Sequence, residues 1–144
     1  MTTKQERLVY HASGTNHPGG AGQLSAKNAL IRFDGSDGTD EEVPGPAELL
    51  VSSFAACVLK NVERFSHMLP FQYEEARIEV TAVREDAPPR MTSVQYALTI
   101  VTNESDRRVQ LLLRNIEKFG TIYNTIALAC DVTGSIRTVA PSTV

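Results

Sequence analysis

Apolar residues recur at three- and four-residue intervals over one long stretch, PAELLVSSFAACVLKNVERFSHML, from Pro46 to Leu69. Leu50, Phe54, Val58, Phe65 and Leu69 share one helical face, and Val62 fills its gap. Val51, Ala55, Ala56 and Leu59 leave little polar surface on the first half until Lys60. A helix that is apolar nearly all round is buried on most sides. The spacing therefore predicts a central helix wrapped by sheet or by a partner subunit, with Cys57 in its middle. Pro46 suits the first turn, where its missing N–H costs nothing, and Glu48 suits the positive helix N-terminus. Pro70 ends the helix.

Elsewhere the period shortens. Residues 6–12, ERLVYHA, read as a first strand, and the glycine-rich SGTNHPGGAG after them as a turn or loop. Residues 23–33, QLSAKNALIRF, read as a second strand whose weak point is Lys27–Asn28. Asp34–Pro46 is acidic, glycine-rich and bounded by proline, the composition of an exposed loop. In residues 73–85, Ile78, Val80 and Ala82 alternate with Arg77, Glu79 and Thr81, a half-buried strand of period two. Val94, Tyr96, Leu98 and Ile100 repeat the pattern over residues 92–102. The two strands predict an antiparallel hairpin with a wide loop at DAPPR. Asn103–Asp106 offers an N-cap cluster for a helix running to about Lys118, which buries Val109, Leu112, Leu113, Ile116 and Phe119. Gly120 stops that helix or marks a joint. TIYNTIALA is a second short helix or an extended run. CDVTGSIRTV reads as a last strand with Val132, Gly134 and Ile136 on one face. Segregated antiparallel strands with a buried helix make the fold class α+β.

At 144 residues the chain is expected to be one domain, 1–144. A chain of this length buries roughly 70% of its unfolded surface, so it needs no disulfide staple or structural metal. The net charge of −3, with both signs interspersed and no basic block, points away from nucleic acid. No stretch of membrane-spanning length is apolar throughout, and MTTKQERLVY lacks the apolar core of a signal peptide. The expected setting is a reducing cytoplasm with both thiols free. His11, His17 and His67 show no ligand spacing with each other or with the cysteines, so neither a metal nor another cofactor is expected.

Three segments in order resemble the OsmC/Ohr family of osmotically inducible and organic-hydroperoxide-resistance proteins. GPAELLVSSFAACVLKNVERF is similar to the family's P-x-E-L-L…A-x-C segment, and PPRMTSVQYALTI to the second strand of its hairpin. IEKFGTIYNTIALACDVTGSI is similar to its carboxy-terminal K-Y-C-x-V-S-x-T-L…V-x-G-x-I segment. The resemblance implies antiparallel sheets around a buried central helix, in an intertwined homodimer with two interface sites each built on a thiol. It also implies thiol peroxidase chemistry. One cysteine attacks the peroxide and becomes a sulfenic acid, and a second cysteine closes a disulfide that a dithiol reduces. Cys57 stands where the attacking cysteine stands. The second family cysteine falls at Gly120 and is absent. The family's activating loop arginine has no counterpart in HPGGAGQ.

Each candidate residue carries two readings. Cys57 is a nucleophile, or a small side chain filling a buried helix. Lys60, one turn on, favours a thiolate if its amine bends toward the sulfur, and otherwise reaches water. Glu48 is a catalytic carboxylate or a helix-start charge. Phe54 and Tyr123 line a ligand pocket or simply pack. Arg32 replaces the missing arginine or is a solvated strand residue. Cys130, at the start of the last strand, is a substitute resolving thiol or a core cysteine. Two functions follow. One is a thiol-dependent organic hydroperoxide reductase or stress-response protein of one-cysteine type, its sulfenic acid reduced by an external thiol. The other is a non-catalytic homodimer that binds a small apolar ligand.

Overall fold

The computed structural model describes residues 7–142, which divide at residue 49 into two compact units. In the first, β1 (Ser13–Thr15), β2 (Ala21–Ala26) and β3 (Ala29–Asp34) form an antiparallel sheet in that order. The stretch read as one strand over 23–33 is thus a hairpin, with Ala26 paired to Ala29. Lys27 makes the turn with φ of 52°, a left-handed conformation that β-turn chemistry usually reserves for glycine or asparagine. The turn falls at Lys27–Asn28, the weak point that the sequence marks. The first strand also lies elsewhere than expected. Residues 7–12 are exposed and unpaired, and Glu6 lies outside the described residues. The acidic stretch after β3 is a loop, as its composition predicted. Asp34 organises it by accepting hydrogen bonds from the backbone N–H of Ser36 (2.9 Å) and of Asp40 (2.8 Å).

The second unit carries the larger core. Helix α1 spans Pro46–Met68, β4 Glu75–Asp86, β5 Pro89–Val101, α2 Asp106–Phe119, α3 Thr121–Ala127 and β6 Asp131–Val139. TIYNTIALA therefore resolves as a short helix. Phe54, Val58, Val62 and Phe65 of α1 are buried with Val94, Tyr96, Leu98 and Ile100 of β5 and Val109, Leu112 and Ile116 of α2. These are the faces that the periodicities marked. Two apolar positions of the helical patterns are open instead: Leu50 is 42% exposed and Phe119 47%. Spacing identifies an apolar position, not what covers it.

The α+β class holds, with two changes in the sheet. The β4–β5 connection is tight, because Asp86 pairs with Pro89 across only Ala87 and Pro88. The last strand runs parallel to β5, not antiparallel. The helices α2 and α3 carry the chain back along the sheet before β6 begins, the crossover a parallel neighbour requires. The parallel register sets Tyr96 opposite Gly134. A Cβ on Gly134 would stand 2.0 Å from Cζ of the Tyr96 ring. Gly134→Ala is accordingly expected to destabilise the protein by roughly 1–3 kcal/mol through overpacking. Urea unfolding measures this, and an unchanged midpoint would show that Tyr96 is free to move aside.

No helix of the described residues is long and apolar enough to cross a membrane.

Candidate functional site

Helix α1 owes its start to Gly45, Pro46 and Glu48. The Leu49 N–H donates to the Gly45 carbonyl at 3.0 Å, and Glu48 Oε1 accepts from the Gly45 N–H at 2.8 Å. This is the return half of a capping box, a carboxylate at the third helical position satisfying the cap's own N–H. Glu48 sits, then, at the helix start that its charge predicted, with one oxygen engaged in capping.

Cys57 lies about three turns further on and is half-buried. Its neighbour one turn ahead is Asn61, which is 8% exposed and buried on α1 with Phe54, Val58, Val62, Phe65 and Ser66. The Asn61 Nδ2 donates to the Cys57 carbonyl at 2.9 Å and lies 3.6 Å from Cys57 Sγ, a hydrogen bond to sulfur. A side-chain amide has two N–H donors, enough for both contacts. Lys60 is exposed, and among the described residues the sulfur's hydrogen-bond partner is the asparagine, not the lysine.

Gly120 closes the other side. It is the buried joint between α2 and α3, its N–H donating to the Ile116 carbonyl (3.1 Å) and its carbonyl accepting from the Asn124 N–H (2.9 Å). Its φ of −74° and ψ of 118° are open to any residue, so backbone geometry does not demand glycine. A Cβ here would stand 3.2 Å from Cys57 Sγ, 3.0 Å from the Ile116 carbonyl oxygen and 3.0 Å from Tyr123 Cβ. The position at which the family resemblance puts a second cysteine thus lies closer to the first than ordinary van der Waals contact, and it holds no sulfur.

Aromatic rings form the wall beside this pair. Phe54 packs against Tyr123 with ring centroids 5.5 Å apart and against Tyr96 at 5.7 Å, and the two tyrosines meet edge to face at 6.3 Å. The Tyr96 hydroxyl donates to Glu117 at 2.8 Å. Burial foremost, then the hydrogen bond and charge of Glu117, push the ionisation of Tyr96 far above the ordinary tyrosine range. Tyr123 is also raised, by burial and then by the Glu117 charge, with its hydroxyl contact to Tyr96 acting the other way. Both rings therefore stay neutral at physiological pH, and the wall is apolar with two polar tips. The sequence pointed to Phe54 and Tyr123. It did not point to Glu117, because a Tyr–carboxylate pair 21 residues apart leaves no local spacing to detect.

The structure brings together Cys57, Asn61, Gly120, Phe54 and Tyr123. Arg32 is exposed on β3 in the other unit, where it lines a cleft with His17 and Asp40. Cys130 is free, half-buried, and donates its S–H to the Met91 carbonyl at 3.3 Å. No group of three or more metal-ligating side chains gathers among the described residues.

A wider cleft of about 680 Å³ opens where α1 ends and β4 begins, and Cys57 is not among its lining residues. Several of its polar groups are already matched. Arg108 donates to Glu104 (3.1 Å) and to the Leu69 and Pro70 carbonyls, while Glu104 accepts from the Gln72 N–H (2.7 Å). Thr102 donates to the Gln72 carbonyl at 2.6 Å. These bonds fasten the turn after α1 to the loop before α2.

Comparison with known proteins agrees with the fold. An OsmC-like protein from Mycoplasma pneumoniae is similar in structure with a TM-score of 0.84, at 15% identity over 93% of this chain and 99% of that one. A putative osmotic stress induced and detoxification response protein from Psychrobacter arcticus follows at 0.79 and 17% identity, covering 94% and 100%. A putative organic hydroperoxide resistance protein from Vibrio cholerae, with captopril bound in one of its active sites, gives 0.73 and 20% identity, covering 92% and 95%. No curated protein matches the sequence. The family model described as OsmC-like protein matches residues 38–134, a span that contains Cys57, Asn61, Tyr96, Glu117, Gly120 and Tyr123, and the chain belongs to that family.

Proposed function

We propose that the protein reduces organic hydroperoxides with Cys57 as its only redox-active cysteine, in a homodimer, at the expense of an external thiol. The observation that carries this reading is the pairing of the half-buried Cys57 sulfur with Gly120 at 3.2 Å from a built Cβ. The attacking thiol has its family place, and the resolving thiol is missing from the position that would face it.

The chemistry closes without a second protein thiol. The Cys57 thiolate attacks one oxygen of the peroxide, an S–O bond forms and the O–O bond breaks. The alkoxide takes a proton and leaves as an alcohol. Sulfur has lost two electrons, which the peroxide has gained. An external thiol condenses with the sulfenic acid, releasing water and leaving a mixed disulfide. A second external thiol displaces Cys57 as thiol and departs as the disulfide. Phe54 and Tyr96 lie in the core, so of the three rings the half-buried Tyr123 is the one that can meet the hydrocarbon part of such a substrate. Support for the homodimer comes from large apolar side chains left open in the single chain, among them Leu30 at 67%, Leu50 at 42% and Leu128 at 90% exposure.

One observation favours the second reading, a non-catalytic dimer that binds a small apolar ligand. Among the described residues no lysine or arginine hydrogen-bonds to the Cys57 sulfur, and a cation is the usual means of activating a thiol. Intact mass after one equivalent of cumene hydroperoxide separates the two. Addition of one oxygen, mapped to Cys57, is the expected product. An unchanged mass assigns the protein to ligand binding, and loss of two hydrogens with Cys57 joined to Cys130 replaces the one-cysteine scheme with a two-cysteine one.

A further inference from the structure

The missing arginine leaves open what holds the Cys57 sulfur in its reactive form. We propose that Asn61 does so, by donating a hydrogen bond from Nδ2 to Sγ, so that a neutral amide serves where, among the described residues, no lysine or arginine hydrogen-bonds to the sulfur. This rests on the reading of Cys57 as the attacking thiol.

Three observations converge on Asn61. Its Nδ2 is 3.6 Å from the sulfur, within reach of an N–H···S bond. The same nitrogen is anchored by a 2.9 Å bond to the Cys57 carbonyl, which fixes the amide beside its own cysteine and limits its freedom to swing away. Finally, the residue is out of character with its surroundings. Phe54, Val58 and Val62 on the same face are fully buried, and an amide at 8% exposure interrupts that apolar stripe. Burying an amide there costs free energy unless its donors are matched. A leucine would pack at the position without that cost. Departures from local consistency of this kind concentrate at functional sites.

The amide can serve two states. In the thiolate, Sγ carries a full charge and accepts a stronger bond than the neutral thiol would, so the donor favours ionisation. In the sulfenate formed by transfer of one peroxide oxygen, the same N–H remains beside the charged group. A neutral donor stabilises the anion less than a guanidinium would.

An asparagine that bonds to a carbonyl four residues back is also a common structural device. The test separates the two roles. In a Cys130→Ser background Cys57 is the only thiol, and its alkylation by iodoacetamide is followed across pH. Asn61→Leu is expected to slow alkylation at neutral pH about fivefold, the equivalent of one hydrogen bond, and to move the midpoint of the profile upward. Asn61→Asp should move it further, because a carboxylate beside the sulfur opposes the thiolate. Asn61→Gln, which keeps an amide, should restore part of the shift. Where the leucine variant does not fold, the aspartate and glutamine variants decide. Midpoints that coincide with the parent's, even with lowered thermal stability, would overturn the proposal and leave Asn61 a helix-stabilising residue. A shifted midpoint in a protein that never consumes hydroperoxide would uphold Asn61 and sink the peroxidase reading instead. Turnover with unshifted midpoints would do the reverse.

Discussion

Gly120→Cys is expected to convert the protein from a one-cysteine to a two-cysteine system. After one equivalent of hydroperoxide the variant should lose two hydrogens, with Cys57 joined to the introduced cysteine, where the parent gains one oxygen. The geometry argues for this directly. Across a disulfide with an S–S bond of about 2.04 Å, the Cβ of one cysteine lies about 3 Å from the sulfur of the other. The distance from a Cβ built on Gly120 to Cys57 Sγ is 3.2 Å. The backbone at 120 accepts a side chain without strain. The cost falls on the Ile116 carbonyl and Tyr123 Cβ, each 3.0 Å from the new carbon, which must give by a few tenths of an ångström. An engineered cysteine at contact distance captures a sulfenic acid before a second oxidation reaches it, so the variant should also resist inactivation by excess peroxide. Peptide mapping under non-reducing conditions measures the link. Persistence of the one-oxygen product would mean that α3 holds residue 120 away from the productive approach.

The central helix was legible from spacing alone, because one amphipathic period ran uninterrupted from Leu50 to Leu69 and proline stood at both ends. The hairpin of β4 and β5 was legible for the same reason, at period two. What the sequence concealed was tertiary. The parallel pairing of β6 depends on the path of α2 and α3, which leaves no mark within the strand itself. The turn between β2 and β3 showed only as a weak point at Lys27–Asn28, because a lysine takes the left-handed conformation there. At the site, the spacing of three and four residues did place Asn61 beside Cys57, yet nothing in the string says that an amide at that spacing turns toward sulfur rather than solvent. The family resemblance contributed the position of Gly120, and the structure supplied its meaning, since residues 57 and 120 meet only once α2 and α3 have folded over α1. The Tyr96–Glu117 pair was beyond reach for the same reason.

Cys57→Ser is expected to bring the larger loss of function. A serine hydroxyl is not ionised at neutral pH and does not form a sulfenic acid, so the first covalent step has no nucleophile. The substitution removes little volume, and the introduced hydroxyl can still accept from the Asn61 amide, so the fold should be retained. Hydroperoxide consumption should fall on the order of a hundredfold or more, to the rate of the uncatalysed reaction with the reductant. Cys130→Ser, by contrast, keeps a donor for the Met91 carbonyl and should leave turnover close to that of the parent.

The most direct test is therefore steady-state consumption of cumene hydroperoxide with dithiothreitol as reductant, the parent protein measured beside Cys57→Ser. The account predicts turnover in the parent and background in the variant. Equal rates in the two would contradict it and leave a binding protein whose half-buried thiol has no part in redox chemistry.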